Sequence, residues 1–261
     1  MMGSVRAQQV TRRAEKSKER LRILLAGDAT TGKTTSLETL PDALRAVGVE
    51  SPRIVVLDLD QNADNLIDRE GFEVYRWGGV PGSDHEAADA CEWWMREELT
   101  KMEGIHVVVG DSLTALSMMA LAHVTNVNNR FGKAPQLQDW NHEMNTTQNF
   151  CLKLQNIKVS HAVITTCHTH LEKDDLSGRA YNALVLTGKL PKKLVRFFPE
   201  IYYANVQGLG NKAKFMWRTT PEQGTIARTQ IPEFRKGEGV VQDFGPIFKA
   251  WFKSKEGSDV K

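Results

Sequence analysis

Cysteine is scarce in this chain, with three in 261 residues: Cys91, Cys151 and Cys167. They are widely spaced, odd in number and without a C-x-x-C pair, so a disulfide framework and a zinc ribbon are excluded and reduced thiols are expected. Long apolar runs are missing as well. No stretch approaches the roughly 20 residues that cross a bilayer, and the charged N-terminus has no apolar segment of the secretory kind, so no membrane partner and a cytoplasmic setting are expected. An excess of one charge is also lacking: 34 Lys and Arg face 32 Asp and Glu, for a net charge of +2. Overall charge therefore points to no particular partner. There are no repeats and no low-complexity segment, and one domain is the simpler reading.

What charge there is lies unevenly. Residues 1–20 hold Arg6, Arg12, Arg13, Lys16, Lys18 and Arg20 against Glu15 and Glu19. Such a basic arm suits nucleic acid or a neighbouring subunit, and a solvated tail has the same composition. The expected division is a basic arm over 1–20, one domain over 21–250 and a C-terminal tail over 251–261.

The chain's strongest local pattern is GDATTGKTT, comprising Gly27, Asp28, Ala29, Thr30, Thr31, Gly32, Lys33, Thr34 and Thr35. Gly-x4-Gly-Lys-Thr is the P-loop spacing, in which backbone N–H groups curl round phosphates and the lysine reaches the terminal ones. The context fits: Leu21–Ala26 reads as a buried strand and Thr34–Val47 as a helix. Thr34 would give its hydroxyl to Mg²⁺, and ATP is the implied ligand. Asp111 ends the apolar strand His106–Asp111, where parallel α/β sheets place ligands, and is expected to hold Mg²⁺ with Thr34. Capping the next helix, together with Ser112, is the competing role. The strand Arg53–Asp60 runs into Asp58, Asp60 and Asp64, of which Asp60 is chosen as the carboxylate that orients water.

A fourth strand, His161–Cys167, completes an alternation that indicates a mostly parallel sheet wrapped by helices. After Pro191 a short helix leads to the strand candidates EIYYANV, KAKFMWRTT and TIARTQI, where the sheet is expected to turn antiparallel at its edge. In ACEWWMREEL, at most one of Trp93 and Trp94 is expected to face the core.

The order of these motifs, with VLDLDQNAD and VVVGDSLTAL as its most specific parts, resembles the RecA-type ATPase core over residues 21–235. It looks most like the small RecA-like proteins of bacteriophages that act in single-strand annealing and recombination. That resemblance implies an α/β P-loop core that hydrolyses ATP, assembles as a ring or filament on single-stranded DNA and promotes annealing or strand exchange. It places the protein in the host cytoplasm if phage-encoded, and makes a single-strand binding protein a further partner. Asp60 takes the place of a catalytic glutamate, one methylene longer. His168 takes the place of a γ-phosphate sensor, and Arg228, with Arg218 in reserve, that of a residue reaching a neighbour's nucleotide. Two loops correspond to DNA-binding loops, one offering Arg130, Phe131 and Lys133, the other (169–189) Lys173, Arg179, Tyr181 and Lys189. Cys167, His168 and His170 as metal ligands are disfavoured, because neighbours on an extended chain face opposite ways. A small-molecule kinase would share the P-loop, but the Asp-Ser-Leu-Thr strand end suits a water-activating ATPase better. A helicase loader or other DNA-linked motor uses much the same core and remains the alternative.

Overall fold

The computed structural model describes residues 20–77, 87–130, 132–173, 178, 180–222, 224–237 and 239–253. Within them the strands are β1 (Leu21–Gly27), β2 (Ile54–Asp58), β3 (Phe72–Arg76), β4 (Val107–Asp111), β5 (Ala162–Lys173), β6 (Ala180–Leu184), β7 (Glu200–Gln207), β8 (Lys214–Arg218) and β9 (Val240–Val241). The helices are α1 (Lys33–Ser36), α2 (Leu40–Arg45), α3 (Ala87–Glu97), α4 (Leu113–Val127), α5 (Leu137–Asn156), α6 (Leu190–Leu194) and α7 (Phe244–Lys253).

One nine-stranded sheet runs β3-β2-β4-β5-β1-β7-β8-β9, with β6 paired to the outer half of β5. From β3 to β7 all neighbours are parallel, and β8 and β9 are antiparallel. The central strands read as unbroken branched apolar runs because both of their faces are covered. Leu24, Val55, Val108 and Val163 pack with α3, α4 and α5 on one side. Ile23, Val56, Val109 and Ile164 pack with α2, α7 and Trp217 on the other. Parallel register then brings the C-terminal ends of β1, β2, β4 and β5 to one edge of the sheet: Gly27 pairs with His168, and Asp58 with Asp111.

Several sequence expectations need correction. The helix expected over Thr34–Val47 is broken into α1, a 3₁₀ turn at Leu37–Thr39, and α2. Pro41 has no N–H to return to the Leu37 carbonyl, so the chain tightens there. Strand β3 went unread because its side chains are all half-buried or exposed and its pattern is weak. TIARTQI is not a strand: only Arg228 bridges to Ile201, because Thr229 and Gln230 turn to donate to the Glu200 carboxylate. The stretch 169–189, read as a loop, includes an antiparallel pairing of 169–173 of β5 with 180–184 of β6. Finally, α7 runs across position 250, where the tail was placed, because Trp251 and Phe252 pack against the apolar layer under α2. Residues 1–19 of the basic arm and 254–261 of the tail lie outside the described residues.

The three cysteines are buried and unpaired. Burial pushes the Cys151 and Cys167 thiols up to about 12, which keeps them protonated and unreactive. Trp94 packs on Tyr75 and Trp77 with ring centroids 4.2 and 5.4 Å away, while Trp93 is exposed.

Candidate functional site

The residues that follow β1 form a tight cradle. Gly27 lies so close to β7 that a Cβ there would stand 2.6 Å from the Ala204 carbonyl oxygen. Gly32 has φ +84°, a left-handed conformation natural to glycine, and Thr30 shares that region with φ 63°. Such a succession turns backbone N–H groups toward a common centre, as phosphate binding requires. Lys33 is buried, and its Nζ donates to the carbonyls of Gly27 and Asp28 at 2.8 and 2.7 Å. Burial lowers its pKa, while the nearby carboxylates of Asp111, Asp60 and Asp28 act in the opposite direction.

Asp111 stands at the end of β4 with no exposed surface to speak of. Its Oδ2 accepts from the Thr34 hydroxyl at 2.8 Å, and its Oδ1 from the Thr166 hydroxyl. Burial raises its pKa to about 6, against the pull of the Thr166 and Thr34 hydroxyls. Helix capping falls to Ser112, whose Oγ accepts from the Ala115 N–H. Asp111 is therefore left free of the capping role. A buried carboxylate held only by neutral hydroxyls, one of them on the P-loop helix, fits a divalent cation. When bound, Mg²⁺ would neutralise charge on the phosphate oxygens, with Thr34 and Asp111 as the residues that hold it.

The two aspartates of the second strand divide sharply. Asp58 is fully buried and accepts from Arg76, Asn62 N–H and Ala63 N–H, which makes it a structural lock between β2 and β3. Asp60 lies beyond the strand, where the N–H groups of Leu59 and Asp60 both donate to the Asp111 carbonyl at 2.6 and 3.0 Å. That anchoring brings the Asp60 carboxylate to 3.2 Å from Nε2 of His168, across 108 residues of sequence. On β5, Thr166 and His168 share one face, toward Asp111 and Asp60, while Cys167 sits against Thr114 and Thr169 donates to Asp28 of the P-loop. His170 meets Glu172 on the hairpin. Cys167, His168 and His170 thus have three different partners, and no group of three or more metal-ligating side chains occurs among the described residues.

The structure thus brings together Lys33, Thr34, Asp60, Asp111 and His168. Arg228 is elsewhere: its guanidinium donates to the carbonyls of Val195 and Phe198, with Nε 2.8 Å from the latter, so in this conformation it is engaged by its own chain. Arg218 donates to Glu222. Arg130 also departs from its expected part, because with Asn128 it ties down the buried carboxylate of Asp139, which caps α5. Lys133, Lys173 and Lys189 are exposed, and Tyr181 donates to Glu172 across the hairpin. Phe131 and Arg179 lie outside the described residues. Sequence reasoning missed Thr166, Thr169 and Gln242. Alternation along β5 would have offered the first two; nothing local marks the third.

A P-loop at the end of a parallel strand, faced by a strand-end carboxylate and a second carboxylate, defines a P-loop nucleotide-binding site on an α/β fold. The sequence profile of the AAA domain family matches residues 19–231, and the chain belongs to that family. No curated protein matches it. Among solved structures it is similar to the flagellar accessory protein FlaH of Methanocaldococcus jannaschii, at 9% identity and a TM-score of 0.40, over 85% of this chain and 87% of that one. It is also similar to a KaiC-like protein of Pyrococcus horikoshii, at 12% identity and a TM-score of 0.42, over 85% and 88%. Among the described residues no helix is long and apolar enough to cross a membrane.

Proposed function

We propose that the protein is an ATP- and Mg²⁺-dependent ATPase that assembles on single-stranded DNA and promotes annealing or strand exchange. The observation that carries the ATPase part is the convergence of four chain segments on one spot: Lys33 and Thr34, Asp111 at 2.8 Å from Thr34, and Asp60 at 3.2 Å from His168. In this reading the loop N–H groups and Lys33 bind the phosphates, Lys33 leaving its carbonyl partners for them. Asp60 accepts the proton of the attacking water as its oxygen bonds to the γ-phosphorus and the bond to the ADP oxygen breaks. His168 pairs with Asp60 in the absence of the γ-phosphate and donates to that phosphate when it is bound, and so registers its presence.

Support for the single-strand part comes from the β5–β6 hairpin. It is continuous with the strand that carries His168, and it exposes Lys173 and Leu171 at the same end of the sheet as the P-loop. Exposed lysines and an adjacent tyrosine suit a flexible, sequence-indifferent strand. The test is binding of a fluorescent oligonucleotide by wild type and a Lys133→Ala, Lys173→Ala, Lys189→Ala triple variant across a salt series, with ATP and with ADP. The expected result is nucleotide-dependent binding, weakened in the variant with a shallower salt slope. Identical curves for both proteins would remove these loops from the interface, and no binding at all would remove DNA from the account.

A further inference from the structure

The last strand reaches back over 211 residues to the P-loop. Gln242, which follows β9, is buried, and its Nε2 donates to the Thr31 carbonyl at 2.8 Å and to the Met216 carbonyl of β8 at 3.2 Å. Its own N–H donates to the Phe215 carbonyl at 3.2 Å, so the side chain is launched from a fixed point on the sheet. Its Oε1 and the Phe215 ring close over Gly32: a Cβ at Gly32 would stand 2.7 Å from the first and 2.8 Å from Cδ1 of the second.

We propose that Gln242 is a positioning residue for nucleotide binding, acting through the Thr31–Gly32 peptide. This rests on the P-loop reading above. A trans peptide is planar and points its C=O and N–H in opposite directions. Fixing the Thr31 carbonyl on Gln242 therefore aims the Gly32 N–H away from β8 and β9, toward the inside of the loop where phosphate oxygens would sit. The donor is an amide held by two carbonyls on different elements, so the peptide is oriented before the anion arrives, and its ordering cost is met in folding rather than in binding. The antiparallel edge of the sheet thus forms part of the phosphate cradle, although it carries no residue that touches the anion.

The test is titration of MgATP, MgGTP and pyrophosphate into wild type, Gln242→Ala, Gln242→Met and Lys33→Ala, with unfolding curves of each protein in the absence of ligand. Gln242→Met keeps the length and neutrality of the side chain and removes the donor, so it separates packing from peptide orientation. The expected result is that both Gln242 variants are folded and bind MgATP and pyrophosphate at least about tenfold more weakly than wild type. Wild-type affinity in Gln242→Met would overturn the proposal, as would a loss confined to ATP and GTP with pyrophosphate unchanged, since that would make the residue a base contact. Should Gln242→Ala unfold, Gln242→Met carries the test alone. Equal binding by wild type and Lys33→Ala would instead overturn the P-loop reading itself, and the proposal would fall with it.

Discussion

Two carboxylates are equally buried in this sheet, Asp111 at the P-loop end of β4 and Glu200 at the start of β7, and burial raises the pKa of both. Their surroundings differ in kind. Glu200 accepts from Tyr202 OH, Thr229 OH and the Gln230 N–H, which together fasten the return of the chain after β8 onto β7. Asp111 accepts from Thr34, a residue of the P-loop helix, and lies within the electrostatic reach of Lys33, whose ammonium rests on loop carbonyls that a phosphate would replace. Burial alone does not distinguish a working carboxylate from a fastening one. The exchangeability of its partners does.

Substitutions break the comparison in order of size. Asp111→Asn is expected to lower ATP turnover by about two to three orders of magnitude, whereas Glu200→Gln leaves turnover per folded molecule nearly unchanged; steady-state assays at matched folded fraction decide it. Asp60→Asn should lower turnover by about a hundredfold and spare MgATP affinity, and full activity in that variant would end its role with water. Arg228→Ala should act on the fastening side, costing about 1 kcal/mol of stability for an exposed, carbonyl-bound guanidinium, with turnover retained. Activity that collapses in Arg228→Ala but recovers on mixing with Asp60→Asn subunits would place it in a neighbour's site instead.

The smallest effect concerns pH. Because Glu200 holds its proton more tightly folded than unfolded, the folded state gains from that proton at acid pH. The gain is lost as pH rises through the carboxylate range into the raised folded value. Wild type should therefore lose stability relative to Glu200→Gln as pH rises above the ordinary glutamate range, about pH 4, as read from chemical unfolding of both proteins across a pH series. A difference independent of pH would contradict the shift.

The same contrast explains what could be read from the sequence. The P-loop was legible because its chemistry is contiguous from Gly27 to Thr35. Asp111 was legible because an apolar strand that ends in a carboxylate is a local signal. Asp60 was chosen over Asp58 by position along the strand, but the reason Asp58 is unavailable, Arg76 of an unread edge strand, is non-local. The hairpin of β5 and β6 hid because its outer half mixes charges on both faces. Arg228 was nominated as a basic residue on a strand, and the fold turned it onto the carbonyls after α6. Gln242 had no signal at all, since its meaning lies in a peptide 211 residues away.

The most direct test of the account is ATP turnover with and without single-stranded DNA, with Lys33→Ala as the blank. Turnover is expected to disappear in Lys33→Ala and to rise when the DNA is added. Turnover that is indifferent to DNA, or that appears only with a small-molecule acceptor, would contradict the assembly on single strands and turn the β5–β6 hairpin into a substrate lid.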